Sequence, residues 1–128
     1  MTDEEIADLW IKYELKENPA EDDPDFLAYE VLSGLEHKNP ERLFRILRLI
    51  VDKNDTEKIL GMVAAGPLED LIVGEHGDKF VDRVLDLARQ DKRWRRILGG
   101  VWVGRSEDTD VQKRIRDAIQ LYFPNGTP

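Results

Sequence analysis

The chain contains no cysteine, which removes a disulfide framework, a thiolate zinc site and a cysteine nucleophile in one step. Histidine is nearly as scarce: His37 and His76 are the only two. Neither has a second histidine four residues on, the spacing by which one helical face grips a metal. No metal or other cofactor is therefore expected. Ser33 and Ser106 are the only serines, and neither stands in a G-x-S-x-G nucleophile elbow. Glycine-rich phosphate loops of the G-x-x-x-x-G-K-[ST] or G-x-G-x-x-G type are also missing. No apolar run approaches the roughly 18 residues that cross a bilayer. The first residues, MTDEEIADLW, are acidic where a secretory leader is basic and then apolar. These absences give the expectation of a cytoplasmic protein without catalytic machinery, held together by an ordinary apolar core.

What is abundant is charge, and it is unevenly placed. The formal net charge of the 128 residues is −8. Residues 1–40 hold 12 acids and 3 bases, whereas residues 41–128 hold 15 acids and 16 bases. The whole excess therefore lies in the first third. An acidic chain is a poor general ligand for nucleic acid and a good one for basic proteins.

Helix signals run the length of the chain. Thr2 with Glu5 has capping-box spacing, and Ile6, Leu9, Trp10 and Tyr13 follow at i, i+3, i+4 and i+7. Asp23-Pro24 and Asn39-Pro40 each pair a capping residue with a proline at the first helical position. Asn54 with Glu57 opens a fourth helix, and Gly66-Pro67 reads as a stop followed at once by a start. Gly77 closes a fifth helix, and Asp78, Asp91 and Thr109 open the sixth, seventh and eighth. Only Val101–Val103 leaves room for a short β element. The expected fold is all-α, with about eight short antiparallel helices. They form one domain over residues 1–128, with an acidic cap at 1–38 and a core at 39–123. The arrangement is either an α-α superhelix of HEAT type or an irregular bundle.

Three places invite a functional reading. Glu69 and Asp70, in AAGPLEDL (64–71), could pair as catalytic carboxylates. Neighbours on a helix diverge by about 100°, however, so they read better as acids complementing a helix start. His76, just before Gly77, reads as a charge at a helix C-terminus. The run from Arg89 to Arg96 places Arg89, Arg93 and Arg96 on one face, while Trp94 points inward with Ile97 and Leu98. That face is a phosphate or nucleic-acid patch, a dock for an acidic segment, or a solvated surface. Gly99-Gly100 inside a helix is unusual and is explained by close helix packing.

AAGPLEDL, His76-Gly77 and RRILGGVW (95–102) resemble an uncharacterised bacterial family of small helical proteins, a domain of unknown function. The resemblance covers residues 40–103 and singles out Gly66, Pro67, Glu69, His76, Gly77 and Trp102. It hints at mobile defence or toxin-neutralising loci and supplies no reaction.

The reading these observations favour is a non-enzymatic protein-interaction module. Its acidic surface, with Asp22, Asp23 and Asp25 at the centre, would bind a basic partner. A toxin-neutralising immunity protein is the most concrete version. The alternative is a nucleic-acid-associated accessory protein using the Arg89–Arg96 face. A hydrolase built on Glu69, Asp70 and His76 is the third and least favoured. On the expectation that Asp22, Asp23 and Asp25 are exposed, reversing them to lysine barely alters stability.

Overall fold

The structure, a computed structural model, describes residues 1–20, 22–103 and 109–127. Among them there are seven helical runs and no strand, so the fold is all-α. The Val101–Val103 segment carries no regular structure. The chain divides into two compact units, Met1–Met62 and Val63–Pro128.

In the first unit, α1 (Asp3–Glu14) packs against both α2 (Phe26–Lys38) and α3 (Pro40–Lys53), and α2 also meets α3. The α3 helix thus groups with the two helices that the sequence reads as a separate cap. Its apolar stripe explains this: Leu43, Phe44, Ile46, Leu47, Ile50 and Val51 are all buried, beside Ile6, Ala7 and Trp10 of α1. The caps are those written in the sequence. Thr2 Oγ1 accepts from Glu5 N, and Thr2 N donates back to Glu5 Oε1. Asn39 Oδ1 accepts from Arg42 N, with Pro40 at the first helical position. Asp23 does not cap α2. Its Oδ1 accepts from Asp25 N in a tight turn, and α2 begins only at Phe26. Asn54 likewise serves the turn, while Thr56 Oγ1 accepts from Ile59 N at the start of α4 (Glu57–Val63).

The second unit begins within the most irregular helix. Gly66-Pro67 does not break it. Residues Ala64–Leu68 form a π segment that runs directly into α5 (Glu69–Val73). Proline has no N–H and its ring clashes with the carbonyl four residues back. A π turn pairs each carbonyl with the amide five residues on. The carbonyl of Val63 can then be served by Leu68 instead of Pro67, and the helix continues. Gly66 does not adopt a left-handed conformation. It precedes proline inside a helix, where a Cβ would meet the proline ring.

Helix α6 (Gly77–Gln90) packs on α5, on α7 (Lys92–Gly99) and on α8 (Asp110–Tyr122). Gly77 is its first residue, not the last of α5. A Cβ there would lie 2.0 Å from the carbonyl oxygen of Ile72, so only glycine permits the approach. Asp91 Oδ1 caps α7 by accepting from Arg93 N, and Thr109 Oγ1 caps α8 by accepting from Gln112 N. The core holds Leu68, Leu71, Phe80, Val84, Trp94, Ile97, Leu98 and Ile115.

Candidate functional site

The residues singled out by resemblance come together in the second unit. Helix α7 packs against the π segment. A Cβ on Gly100 would sit 2.9 Å from that of Ala64, and one on Gly99 would sit 2.6 Å from the Phe123 ring. The glycine pair is therefore a packing device, as expected, but it stands at the end of α7, with Gly99 the last helical residue and Gly100 the C-cap, and not inside a helix. Just beyond, the amide of Trp102 donates to Glu69 Oε1 at 2.7 Å. Val101 and Val103 are buried on either side, yet Trp102 itself is 73% exposed. The role expected of Glu69 changes accordingly. The π segment leads unbroken into α5, so the first amides of α5 are not those of a free helix end, and the Glu69 carboxylate instead holds the chain after α7. Asp70 lies toward solvent on the same turn, and partial desolvation raises its pKa.

His76 also stands elsewhere than expected. It occupies the N-cap position of α6, the end where a positive charge is disfavoured. Its Nε2 is shielded from solvent, has no hydrogen-bond partner and lies 3.4 Å from Glu75 Oε1. Among the described residues, no three carboxylate or imidazole groups gather as metal ligands would.

The arginines of α7 and of the end of α6 are engaged locally. Arg93 forms a bidentate pair with Asp91, its Nη2 2.8 Å from Oδ2. Arg89 pairs with Asp86. Arg95 donates to the carbonyls of Ala88 and Arg89, closing the end of α6, and lies over the Tyr122 ring at 5.0 Å. Arg96 packs close to Gly100. Trp94 is buried, as its spacing requires.

The acidic segment of the first unit divides in two. Lys16 Nζ lies 2.6 Å from Asp23 Oδ2 and 2.8 Å from Asp25 Oδ2, and Lys12 reaches Asp25 at 3.4 Å. Asp25 is buried, with 8% of its surface exposed. The hydrogen bonds from Lys16 hold both carboxyls below the usual carboxylate range and raise the lysine in turn. Asp23 and Asp25 therefore fasten the loop to α1, and their reversal to lysine would set lysine against lysine. The expectation that reversing them leaves stability unchanged does not survive this pairing. Asp22 is exposed, as are Glu17 and Glu30. Further ion pairs join α1 to α3: Asp3 with Arg42 at 2.7 Å, and Asp8 with Lys53 at 3.1 Å.

Beside the lysine–aspartate cluster runs a row of aromatic rings. Tyr13 meets Phe26 edge-on at 5.5 Å, and Phe26 stacks on Tyr29 at 5.2 Å. Tyr29 is 47% exposed. Periodicity assigns Tyr13 to the core face of α1, and nothing local to it signals Phe26. Only the i, i+3 spacing of Phe26 and Tyr29 hints at a shared face. Elsewhere in this unit, Asp3, Arg45, Arg48, Leu49 and Asp52 line a shallow, open depression of about 310 Å³. Among the described residues no helix is long and apolar enough to cross a membrane.

No curated protein and no solved structure matches the chain. A family model matches residues 16–122, a longer stretch than the resemblance covers. With its two motifs packed against each other at the π segment, the chain belongs to DUF6869, a family of unknown function.

Proposed function

We propose that the protein is a non-enzymatic interaction module whose first unit docks a basic protein partner. One observation supports the reading above the others. Residues 1–62 carry 16 acids against 8 bases, while residues 63–128 carry 11 of each. Every net charge of the chain thus belongs to the first unit. Charge of one sign on one unit raises encounter rates with an oppositely charged surface and penalises like-charged competitors. A toxin-neutralising, immunity-type protein is the most concrete form, because enzymes that cut nucleic acid are commonly cationic. The nucleic-acid alternative would use Arg89, Arg93 and Arg96. It is the weaker reading because Arg89 and Arg93 already hold carboxylates and Arg95 holds carbonyls.

The test is co-purification with wild-type protein and with a Glu17→Lys, Asp22→Lys, Glu30→Lys variant, at low and high salt. These three acids are exposed and lie outside the cluster that fastens the loop. The expected result is a basic protein retained by the wild type at low salt and lost on reversal. Capture of the same proteins regardless of reversal and salt would leave the charge as a solubility feature only.

A further inference from the structure

We infer that the ring row Tyr13–Phe26–Tyr29, with Glu30 one helical turn after Phe26, is where the basic partner's arginine or lysine side chains dock. This rests on the interaction reading above and deepens it by naming the contact. Two independent features support it. The first is an unusual exposure of rings. Phe26 stacks on Tyr29 with an interplanar angle of 16°, so one face of the Tyr29 ring is covered, while the residue as a whole stays 47% exposed. Leu27 and Leu15, on the same tied segments, are 50% and 43% exposed. Exposed apolar side chains mark a contact surface where they lie together and are rimmed by charge, and the stacked Phe26–Tyr29 pair with Glu30 in the same helix has that character.

The second feature is an excess of acid over base on the segments that carry those rings. The lysines of this corner, Lys12 and Lys16, are spent on Asp23 and Asp25. That leaves Glu30, one helical turn after Phe26 in α2, exposed, together with Glu17 and Asp22, which adjoin the bridged Lys16 and Asp23 in sequence. An aromatic face next to carboxylates suits a cation with a flat or greasy approach. Arginine fits both, since its guanidinium stacks on rings and pairs with carboxylates in a fork. Lysine fits the carboxylates better than the ring. A purely acidic partner is repelled by the carboxylates, and a purely apolar one leaves them unpaired.

The surface is also held in place before any partner arrives. The Lys16 bridge fixes the end of α1 to the turn before α2, and the Tyr13–Phe26 contact fixes the rings across the same junction. A fixed surface avoids the ordering cost that weakens flexible ones.

The probe is a short arginine–glycine peptide, with a lysine–glycine and a glutamate–glycine peptide of equal length. The full chain is titrated with each at low salt and followed by nuclear magnetic resonance. The inference expects the arginine peptide to shift resonances of Tyr13, Phe26 and Tyr29, the lysine peptide to do so less, and the glutamate peptide not at all. Tyr29→Ala should weaken the arginine peptide roughly two- to fivefold, the scale of one exposed cation–ring contact. Tyr29→Phe should restore most of the binding. Glu30→Gln, which leaves the rings intact, should weaken both cationic peptides and flatten their salt dependence. Binding mapped to other residues of the first unit, or unchanged in Tyr29→Ala, overturns this inference and spares the interaction reading. No binding of either cationic peptide by the wild type overturns both.

Discussion

Two helical glycines behave oppositely because of what lies beyond the missing Cβ. Gly34 lies within α2 with nothing inside 4 Å of that position. Glycine there only adds freedom to the unfolded chain, so Gly34→Ala should stabilise by about 0.5–1 kcal/mol. At Gly77 the added methyl would fall 2.0 Å from the Ile72 carbonyl oxygen. Backbone must then move, and Gly77→Ala should cost roughly 1–3 kcal/mol, as overpacking does. Chemical denaturation of the two variants checks both signs, and a shift of the same sign in each would contradict the packing described. Glu69 is the third position of this scale. Its carboxylate accepts from the Trp102 amide across 33 residues of sequence. Glu69→Ala should cost about 1 kcal/mol and speed hydrogen exchange at the Trp102 amide. An unchanged exchange rate there would mean that the bond holds nothing in place.

Helix starts were legible wherever the capping residue acts on its own neighbours. Thr2, Asn39-Pro40, Asp91 and Thr109 cap as their spacing implies, because the hydrogen bond closes within three residues. Gly66-Pro67 misleads for the opposite reason. The pair has the composition of a helix break, but the buried faces on both sides, from Ile59 to Ile72, keep the run helical and force the irregularity into a π turn. The loop before α2 misleads similarly. Asp23 has the sequence of a cap, yet it is drawn to Lys16, just past the end of α1, and no local pattern announces that pairing. The same pairing has a pH signature. Asp23 and Asp25 titrate below their ordinary value of 3.8 in the folded chain. In that window the unfolded chain binds more protons, so stability is present above the ordinary value and is lost as pH falls through the lowered one. Lys16 is raised instead, and its contribution is lost only as pH climbs past the lysine range. Lys16→Met should therefore flatten the acid limb of a melting-temperature profile. An identical limb in the variant would show that the bridges add no stability.

Across the whole molecule, the all-α class was written in apolar spacing at nearly every helix. The distribution of charge was legible as well, though its use was not. Counting charges marks residues 1–40 as acidic, while the structure shows that the segment's most central acids, Asp23 and Asp25, are spent on holding α1 to the start of α2. The acids available to a partner are then fewer, and one of them, Glu30, lies a helical turn from the aromatic row, which comes from two helices and has no sequence period of its own. Charge on the first unit, as proposed, steers the docking of a basic protein. This steering is tested most directly by the association rate with that protein as salt is varied, using two matched reversals. Glu30→Lys and Asp117→Lys each change an exposed mid-helix acid by the same charge, the first in α2 and the second in α8. Glu30 lies in the unit that carries the net charge and Asp117 in the unit that carries none, so the unit altered should decide the outcome. Glu30→Lys should slow association several-fold at low salt and lessen its salt dependence, while Asp117→Lys should change neither appreciably. Equal slowing by the two reversals, or none by Glu30→Lys, would contradict the proposed steering.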